Sequence, residues 1–340
     1  MPSPIDRALY DPLTWPALAE RVYARSWLCL GLAPAPGRMS PVTLLPGVLD
    51  EPLLMVTSAT GETRVFANVC THRGAVLCTA AGPADGLRCP YHGRRFDLDG
   101  RVTAAPGFDV PPEEPLPTLP VRRVGPLVFT TLGDPADWPE GAAVLPDRLG
   151  AFDLAGLRHD PAGDEAYEVA AHPLLYVENY LEGMHIPFVH PALNRALDWR
   201  AYLTEPVPGG VLQVGLAAAG VPAFHPAPGH PDHGRAVAAW YLALFPATLL
   251  NYYPWGLSVN LVDPVDAGHV RIRYFRLVNR PELLGLGAGA GLDVVEAEDD
   301  QIVERVQRGV RSRLYRGGVL SDRWEVGVAT FQAWVRARIR

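Results

Sequence analysis

This 340-residue chain lacks the sequence features of nucleic-acid-binding, exported and membrane-spanning proteins. Its formal net charge is −7 and the Arg-rich end at Arg336, Arg338 and Arg340 is short, so we expect no nucleic acid as a partner. The N-terminus has no basic region followed by an apolar run, so no signal peptide is expected. The stretch closest to a membrane span, 238–259, is interrupted by two prolines and an asparagine. Those interruptions favour buried strands over a spanning helix, so no membrane is expected as a partner.

Cysteine is scarce, with four residues in the chain, and a nucleotide-binding loop is missing. Four cysteines without an export signal fit the reducing cytoplasm, where thiolates persist as metal ligands. The glycine-rich run 285–291 has neither the Gly-x-Gly-x-x-Gly spacing nor the βαβ context of a dinucleotide site. We therefore expect a connector there, and neither a nicotinamide nor a flavin site.

Two of the cysteines stand in short mixed motifs, Cys70-Thr71-His72 and Cys89-Pro90-Tyr91-His92. A [2Fe-2S] cluster of the Rieske type takes two cysteines on one iron and two histidines on the other, so each motif would supply one ligand to each iron. Zinc sites more often space their ligands as Cys-x2–4-Cys and His-x3–5-His. Buried cysteines without a metal are a further alternative, because free cysteine packs as a small hydrophobe. The mixed spacing favours the cluster.

The hydrophobic pattern changes twice along the chain. Residues Pro16 to Trp27 have an apolar stripe at helical spacing and a proline suited to the first turn, which predicts a helix. From about 28 to 133, short apolar runs separated by turn residues predict a small β domain that carries the four ligands on two loops. From about 134 onward, helical segments enclose a strand-rich middle, in which 270–277 alternates apolar and charged residues like a half-buried strand.

A second group of metal-ligand side chains lies at Glu182, His185 and His190. On a helix, Glu182 and His185 would be about 60° apart and therefore neighbours, whereas His185 and His190 would be about 140° apart. Pro187, between the histidines, removes a backbone donor and should loosen the helix, which could turn both imidazoles inward. A His-x4-His pair alone is also typical of unrelated surface or core histidines, so a metal site needs a third ligand.

Asp299 is the candidate third ligand, because it shares a helical stripe with the apolar residues of 302–310. A carboxylate on such a stripe is unfavourable unless it is paired or bound to a metal. Two histidines and one carboxylate form the face that holds non-haem Fe(II) and leaves positions open for dioxygen. The alternative is a solvated acidic helix start, since acidic residues cluster at 296–300, where the helix dipole favours anions.

Four segments of the chain together resemble one family, the Rieske non-haem iron oxygenases. Residues 68–75 and 89–93 are similar to the Rieske domain of ring-hydroxylating oxygenases, and the segment around His185 and His190 is similar to their mononuclear iron motif. The run 299–307 resembles a later motif of the family, in which an Asp precedes a Glu by five residues. The likeness extends over nearly the whole chain.

Two details refine this resemblance. Arg94 stands where the family commonly has Trp after the His-Gly pair, and we expect it to alter the packing near the cluster without removing the cluster. Tyr180-Leu181-Glu182 is most similar to the choline-monooxygenase-like branch, whose members often oxidise quaternary ammonium substrates.

The resemblance implies an α+β fold with a small all-β Rieske domain at 28–133. It also implies a catalytic mononuclear iron domain at 134–340, with a central antiparallel sheet flanked by helices, on which the N-terminal helix of 1–27 packs. The implied cofactors are a Rieske [2Fe-2S] cluster and a mononuclear Fe(II), with O2 as co-substrate. The implied ligands are Cys70, His72, Cys89 and His92 for the cluster, and His185, His190 and Asp299, with Asp300 as the fallback, for the iron.

In the family, the carboxylate before the first iron histidine, here Glu182, is not an iron ligand but joins an iron-ligating histidine to a Rieske histidine of the neighbouring subunit, here expected to be His92. The resemblance therefore implies a homo-oligomer, a head-to-tail ring expected to be a trimer. A separate reductase or ferredoxin would supply electrons, and the small-molecule substrate would be an aromatic ring or an N-methyl or quaternary ammonium compound. An electron carrier that uses the cluster alone and an inactive homologue that binds metal without turnover are the alternatives.

The substrate pocket is expected to take its walls from the strand-rich middle of the chain. Aromatic rings there could hold a cation or stack on an aromatic substrate, although most of them are expected to belong to the core. These residues are Trp240, Tyr241, Phe245, Tyr252, Tyr253, Trp255 and Phe275.

Overall fold

The structure, a computed structural model, describes residues 4–110, 112–139, 145–150 and 152–340. The first three residues, part of the segment in which no signal peptide is expected, lie outside the described residues. The chain divides into two compact units, one formed by Met1–Tyr23 with Trp138–Arg340 and the other by Ala24–Asp137. In the described part of the chain, no helix is long and apolar enough to cross a membrane.

The unit Ala24–Asp137 is built from short antiparallel strands. Its strands are β1 (Leu28–Leu32), β2 (Arg38–Leu44), β3 (Glu51–Thr57), β4 (Thr63–Ala67), β5 (Gly82–Pro83), β6 (Leu87–Arg88), β7 (Arg95–Phe96), β8 (Val102–Ala104), β9 (Thr118–Leu119), β10 (Val121–Val124) and β11 (Leu127–Thr130). They form sheets in the orders β5-β2-β3-β4-β9, β1-β11-β10 and β6-β7-β8. The loop from β4 to β5 carries the first Cys-His motif, and the turn from β6 to β7 carries the second.

The other unit contains the large antiparallel sheet, as the strand-rich middle predicts. Its strands are β12 (Arg158–His159), β13 (Glu165–Val169), β14 (Leu203–Val207), β15 (Gly210–Leu216), β16 (Val237–Leu244), β17 (Thr248–Tyr253), β18 (Gly256–Asp266) and β19 (His269–Val278). The order is β12-β19-β18-β17-β16-β15-β14, and β13 also pairs with β19. The apolar stretch 238–259 therefore forms buried strands, which confirms that prediction.

Helices lie before, between and after these strands. The α-helices are α1 (Trp15–Ala17), α2 (Pro146–Leu149), α3 (Pro173–Tyr180), α4 (Ile186–Val189), α5 (Pro191–Ala196), α6 (Leu292–Val310) and α7 (Val326–Ile339). Single 3-10 turns lie at Arg7–Tyr10, Pro12–Thr14, Pro135–Asp137, Pro161–Gly163, Trp199–Ala201, Pro281–Leu283 and Gly287–Gly289.

The predicted helix Pro16–Trp27 is wrong in its form and its end. After α1 the chain continues as a π-helix, Leu18–Tyr23, and a turn then leads into β1. Leu18, Val22 and Tyr23, the residues of the predicted stripe, are fully buried. The wider turn places Leu18 and Tyr23, five residues apart, on one buried face, which is a contact that a regular α-helix does not favour.

One glycine in the sheet gives a stability prediction. Gly256 lies at the start of β18 with a φ of +150°, and a Cβ there would overlap the carbonyl oxygen of Leu277. Because that obstacle is backbone, we expect Gly256→Ala to lower the free energy of unfolding by about 3 kcal/mol or more. Gly285→Ala is the control, since Gly285 also has a positive φ, +81°, but open space around it. Equal urea midpoints for the two variants would contradict the prediction.

Candidate metal centres and substrate pocket

The two Cys-His motifs fold into loops of the same design. In the first loop the Cys70 N–H donates to Ala75 O (2.9 Å) and the Gly74 N–H to Cys70 O (3.0 Å). In the second, the Cys89 N–H donates to Arg94 O (2.8 Å) and the Gly93 N–H to Cys89 O (3.1 Å). Gly74 and Gly93 have φ values of +70° and +74°, a conformation that glycine adopts without strain. Each loop therefore bends back at an equivalent glycine, four residues after its cysteine.

The four side chains of these loops fit the donor set of a Rieske cluster. Cys70 and Cys89 are each 2% exposed, whereas His72 is half-buried, His92 is exposed, and their ring centroids lie 4.8 Å apart. Burial raises the pKa of the Cys70 thiol and acts the same way on Cys89. At Cys89, however, the backbone N–H groups of Tyr91 and His92 outweigh burial and lower the pKa. Donors aimed at a buried sulfur favour its thiolate, which is the form that ligates iron.

The histidine side of this site is prepared in a complementary way. Burial lowers the pKa of His72, and the neighbouring His92 and Arg94 lower it further. A low pKa keeps the imidazole neutral, so a ring nitrogen has a lone pair for a metal. Two sulfurs on the buried side and two imidazoles on the more exposed side form a mixed donor set, which suits a cluster with two chemically different irons better than a single zinc.

Arg94, which replaces the family's common Trp, joins the two loops. The residue is 4% exposed, its Nη1 donates to Thr71 Oγ1 at 3.0 Å, and its guanidinium lies 5.3 Å from the ring centroid of Phe108. Phe108 also packs edge-on against His72, with centroids 5.4 Å apart. At both cysteines burial raises the thiol pKa, and the positive charge of Arg94 opposes that effect because it stabilises negative charge on sulfur.

We expect Arg94→Met to shift the cluster's reduction potential to more negative values, by on the order of 50 mV, because a nearby cation stabilises the reduced, more negative cluster. Redox titration monitored by the visible spectrum measures the shift. Arg95→Met is the matched control, because it removes the same charge from the next residue along the chain, whose side chain is exposed. Equal potentials in both variants would show that the buried guanidinium does not act on the cluster.

The second site brings together three predicted ligands. His185 Nε2 lies 3.1 Å from His190 Nε2, and Asp299 Oδ1 lies 3.7 Å and 3.0 Å from these two nitrogens. Among the described residues, this trio has a ligand atom of each member within 4.8 Å of the others. His185 immediately precedes α4, and His190 stands between α4 and α5. Pro187 lies in the first turn of α4, where proline favours a helix start, so both histidines lie at helix ends.

Two carboxylates hold the opposite nitrogens of the same rings. Glu182 Oε1 lies 2.6 Å from His185 Nδ1, and Glu298 Oε2 lies 2.8 Å from His190 Nδ1. A carboxylate accepts the Nδ1 proton, so each Nε2 is left with its lone pair directed at the other and at Asp299. Burial lowers the pKa of His190, but Asp299 and Glu298 outweigh burial and raise it, so this cluster attracts a positive charge, which a metal ion or a proton can supply. The arrangement therefore fits a bound divalent metal with the two-His, one-carboxylate face of a non-haem iron.

Asp299 and its neighbour Asp300 have different surroundings. The Asn179 side chain donates to Asp299 Oδ1 at 2.5 Å, whereas Asp300 is outside the ligand trio and its Oδ1 is buried without a hydrogen-bond partner. Burial raises the pKa of Asp300 to about 7, and Glu296 and Asp299 add to this rise. The sequence did not indicate roles for Glu298 or Asn179. The acidic run 296–300 could have indicated Glu298 as a metal-site residue, whereas nothing in the local sequence indicated Asn179.

A cavity of about 70 Å³ lies beside the three ligand atoms. Tyrosine rings form much of its wall, from Tyr180, Tyr202, Tyr241 and Tyr253, together with the carboxylate of Glu296. Neighbouring rings are in contact, with centroids 6.2 Å apart for Tyr202–Tyr241 and 5.9 Å apart for Tyr241–Tyr253. The glycine-rich run, predicted as a connector, contributes Ala288 to this wall.

The aromatic residues predicted for the pocket divide between cavity and core. Tyr241 and Tyr253 line the cavity beside the ligands, and Trp255 lines an adjoining cavity of about 270 Å³. The two cavities share Leu292 and Glu296 in their walls. Trp240, Phe245, Tyr252 and Phe275 are buried and line neither cavity, as expected for core residues.

Comparison with known proteins agrees with both metal centres. Residues 38–120 match the Rieske [2Fe-2S] domain, and residues 175–340 match the ring hydroxylating alpha subunit (catalytic domain). The chain is 25% identical over 363 residues to choline monooxygenase from Beta vulgaris, covering 99% of this chain and 78% of that protein. It is 27% identical over 338 residues to the oxygenase subunit of carnitine monooxygenase from Acinetobacter baumannii, covering 91% and 86%. A solved structure of a quaternary ammonium Rieske monooxygenase superposes with a TM-score of 0.78 at 24% identity, covering 100% and 95%.

An iron–sulfur domain and a non-haem iron domain in one chain define an oxygenase that receives single electrons and reacts with O2. This chain belongs to the Rieske-type ring-hydroxylating oxygenases, as a catalytic (alpha) subunit. The predicted family, α+β fold and reaction class are confirmed, as are the Rieske cluster, the mononuclear iron and O2 as co-substrate. Membership also implies a reductase or ferredoxin as electron donor and a small-molecule substrate.

Proposed function

We propose that this chain is the terminal oxygenase for a small organic cation of the quaternary ammonium type. The observation that carries the proposal is the position of the His185–His190–Asp299 trio beside a small cavity walled by tyrosine rings and a carboxylate. Aromatic faces and a negative charge attract an onium group, whereas a neutral polycyclic ring would gain nothing from the charge. The choline and carnitine monooxygenases among the relatives agree with this class.

The proposed cofactor ligands are Cys70, His72, Cys89 and His92 for the cluster, and His185, His190 and Asp299 for Fe(II). When bound, the cluster supplies single electrons and the Fe(II) activates dioxygen for hydroxylation of the substrate. The protein contributes orientation: Glu182 and Glu298 each accept an Nδ1 proton and thereby fix which nitrogen of His185 and His190 faces the metal. The tyrosine wall holds the substrate and limits the access of water to it.

Glu182 has a second proposed role, as the link to the cluster of a neighbouring subunit through His92 of the partner subunit. Glu182 Oε2 already accepts the backbone N–H groups of Met184 and, at 3.2 Å, His185, so its carboxylate is fixed beside the iron ligand. This link requires a head-to-tail ring, which we propose to be a trimer. Light scattering of the holoenzyme measures the oligomeric state, and turnover is measured on the same sample. A monomer with full coupled turnover would contradict the ring. The proposed location, the reducing cytoplasm, is a separate prediction that follows from the cysteine ligands.

Metal and product analysis test the proposed function. The holoenzyme should contain about three irons and two acid-labile sulfides per chain, whereas a carrier would contain two irons, and zinc without sulfide would contradict both. Chemically reduced holoenzyme is then mixed with O2 and a panel of trimethylammonium compounds and aromatic acids in a single turnover. Oxidation of the trimethylammonium compounds supports the proposed substrate class. Hydroxylation confined to the aromatic acids would overturn it.

A further inference from the structure

Glu296 occupies an unusual place for a carboxylate. It lies on α6, one turn before the proposed iron ligand Asp299, and its side chain lines both the cavity beside the iron ligands and the adjoining larger cavity. Burial raises the pKa of Glu296 and Asp299 adds to this, while hydrogen bonds from Asn260 and two tyrosines act in the opposite direction. A carboxylate placed in a substrate cavity at such a desolvation cost calls for a physical reason.

Three donors surround this carboxylate. Asn260 Nδ2 donates to Oε1 at 2.8 Å, and the hydroxyls of Tyr176 and Tyr167 donate to Oε2 at 2.7 Å and 2.9 Å. An ionised carboxylate accepts at both oxygens, whereas a protonated one must use one oxygen as a donor. These three donors favour the charged form and offset part of the rise in pKa that burial and Asp299 cause.

The donors are themselves aligned by a longer chain of hydrogen bonds. The Tyr180 hydroxyl donates to Asn251 Oδ1 at 2.8 Å, and Asn251 Nδ2 donates to Asn260 Oδ1 at 3.1 Å. Asn260 then donates to Glu296, so each link directs its positive end toward the carboxylate. Aligned dipoles strengthen one another in a buried network, and here they support negative charge at Glu296. The chain begins at Tyr180, a ring of the cavity wall.

Within the part of the chain that the structure describes, the groups bonded to Glu296 supply no side-chain cation to pair with it. The three groups that bond to Glu296 are neutral, and the sequence contains no lysine. Among the described residues, no arginine lines the cavity beside the iron ligands. Arg276, in the wall of the adjoining cavity, pairs with Asp160 at 2.7 Å. A carboxylate that accepts three hydrogen bonds and has no arginine beside it can pair with a cation that enters the cavity, and that cation in turn favours its ionised form.

We propose that Glu296 is the counter-charge for the onium group of the substrate, and that it makes this site discriminate a cation from a neutral molecule of the same shape. The proposal rests on the function proposed above and deepens it by assigning the recognising residue. The tyrosine faces contact the methyl groups of the cation, and Glu296 supplies the charge that those faces alone do not. A neutral isostere finds the same shape but gains no charge pairing.

The test compares choline with 3,3-dimethylbutan-1-ol, in which carbon replaces the charged nitrogen. Dissociation constants are measured by calorimetry on anaerobic holoenzyme, for the wild-type protein and for Glu296→Gln, which keeps the shape and loses the charge. The wild type should bind choline at least about tenfold more tightly than the alcohol, and the variant should bind both about equally, with its affinity for the alcohol unchanged. A variant that keeps the wild-type preference, or that loses affinity for both compounds equally, overturns the proposal.

Two further proteins keep the outcome unambiguous. Asp293→Asn removes an exposed carboxylate of the same helix that lines the larger cavity alone, and it should keep the preference for choline. If Glu296→Gln folds poorly, Glu296→Asp takes its place. It keeps the charge on a shorter side chain and should keep only part of the preference for choline. A wild type that prefers the neutral alcohol overturns the proposed substrate class and the role of Glu296 together. A wild type that prefers choline while Glu296→Gln does so equally overturns the role of Glu296 alone.

Discussion

Asp299→Ala protein is expected to keep its [2Fe-2S] cluster and to lose the third iron together with all substrate hydroxylation. Asp299 Oδ1 is the one negatively charged atom among the three proposed ligand atoms, and the remaining pair of neutral imidazoles holds Fe(II) weakly. Loss of a direct ligand should weaken iron binding by more than the roughly 10- to 100-fold that follows loss of a group supporting a ligand. Iron and sulfide analysis, the visible spectrum and single-turnover product measure the three effects.

Asp300→Ala is the matched control for this experiment. Asp300 is the next residue on the same helix and the alternative ligand by sequence, but it lies outside the ligand trio. We expect this variant to retain about three irons per chain and its turnover. If Asp300→Ala loses the third iron and Asp299→Ala keeps it, the assignment of the carboxylate ligand is reversed.

Glu182→Gln is expected to lower steady-state turnover by about 10- to 100-fold while most of the third iron is retained. The amide oxygen of glutamine can still accept the His185 Nδ1 proton, so the ring keeps its orientation. The negative charge that would pair with a histidine of the partner subunit is lost. The decisive measurement is the rate at which the pre-reduced cluster is re-oxidised when O2 is added in the presence of substrate, followed by the change in its visible absorbance.

Glu298→Gln is the control, because Glu298 supports His190 in the same way that Glu182 supports His185, at 2.8 Å and 2.6 Å respectively. Both substitutions remove one charge from a histidine partner, but Glu298 has no proposed contact with another subunit. Turnover per bound iron should therefore fall in the Glu182 variant and stay near wild type in the Glu298 variant. Equal losses of turnover in both variants would show that Glu182 only orients His185 and does not carry electrons between subunits.

The sequence was most informative where ligands are close together along the chain. Cys-x-His and Cys-x-x-His place a thiolate and an imidazole within one loop, so the cluster ligands could be proposed from local spacing. The buried strands between 238 and 259 followed from proline positions for the same local reason. The π-helical form of Leu18–Tyr23 could not be foreseen, because it depends on which neighbours the buried face meets.

The iron site shows where local reasoning ends. An undistorted helix would separate His185 and His190, and Pro187 predicts a break without specifying where the rings go. In the structure α3 ends at Tyr180 and a short α4 follows His185, so both Nε2 atoms meet 3.1 Å apart. The direction of each ring depends on which carboxylate bonds to its Nδ1. For His190 that carboxylate is Glu298, which is distant in the sequence.

The sequence by itself determined the chemistry of this protein: the types of ligand, their order along the chain, and therefore a Rieske cluster and a non-haem iron. Tertiary structure decided which acidic residue of the run 296–300 does what. Glu296 lines the cavity, Glu298 holds His190 from 108 positions away, and Asp299 faces the two imidazoles. Neighbouring residues on a helix point in directions about 100° apart, so near-identical carboxylates acquire different partners once α6 packs against α3 and the sheet.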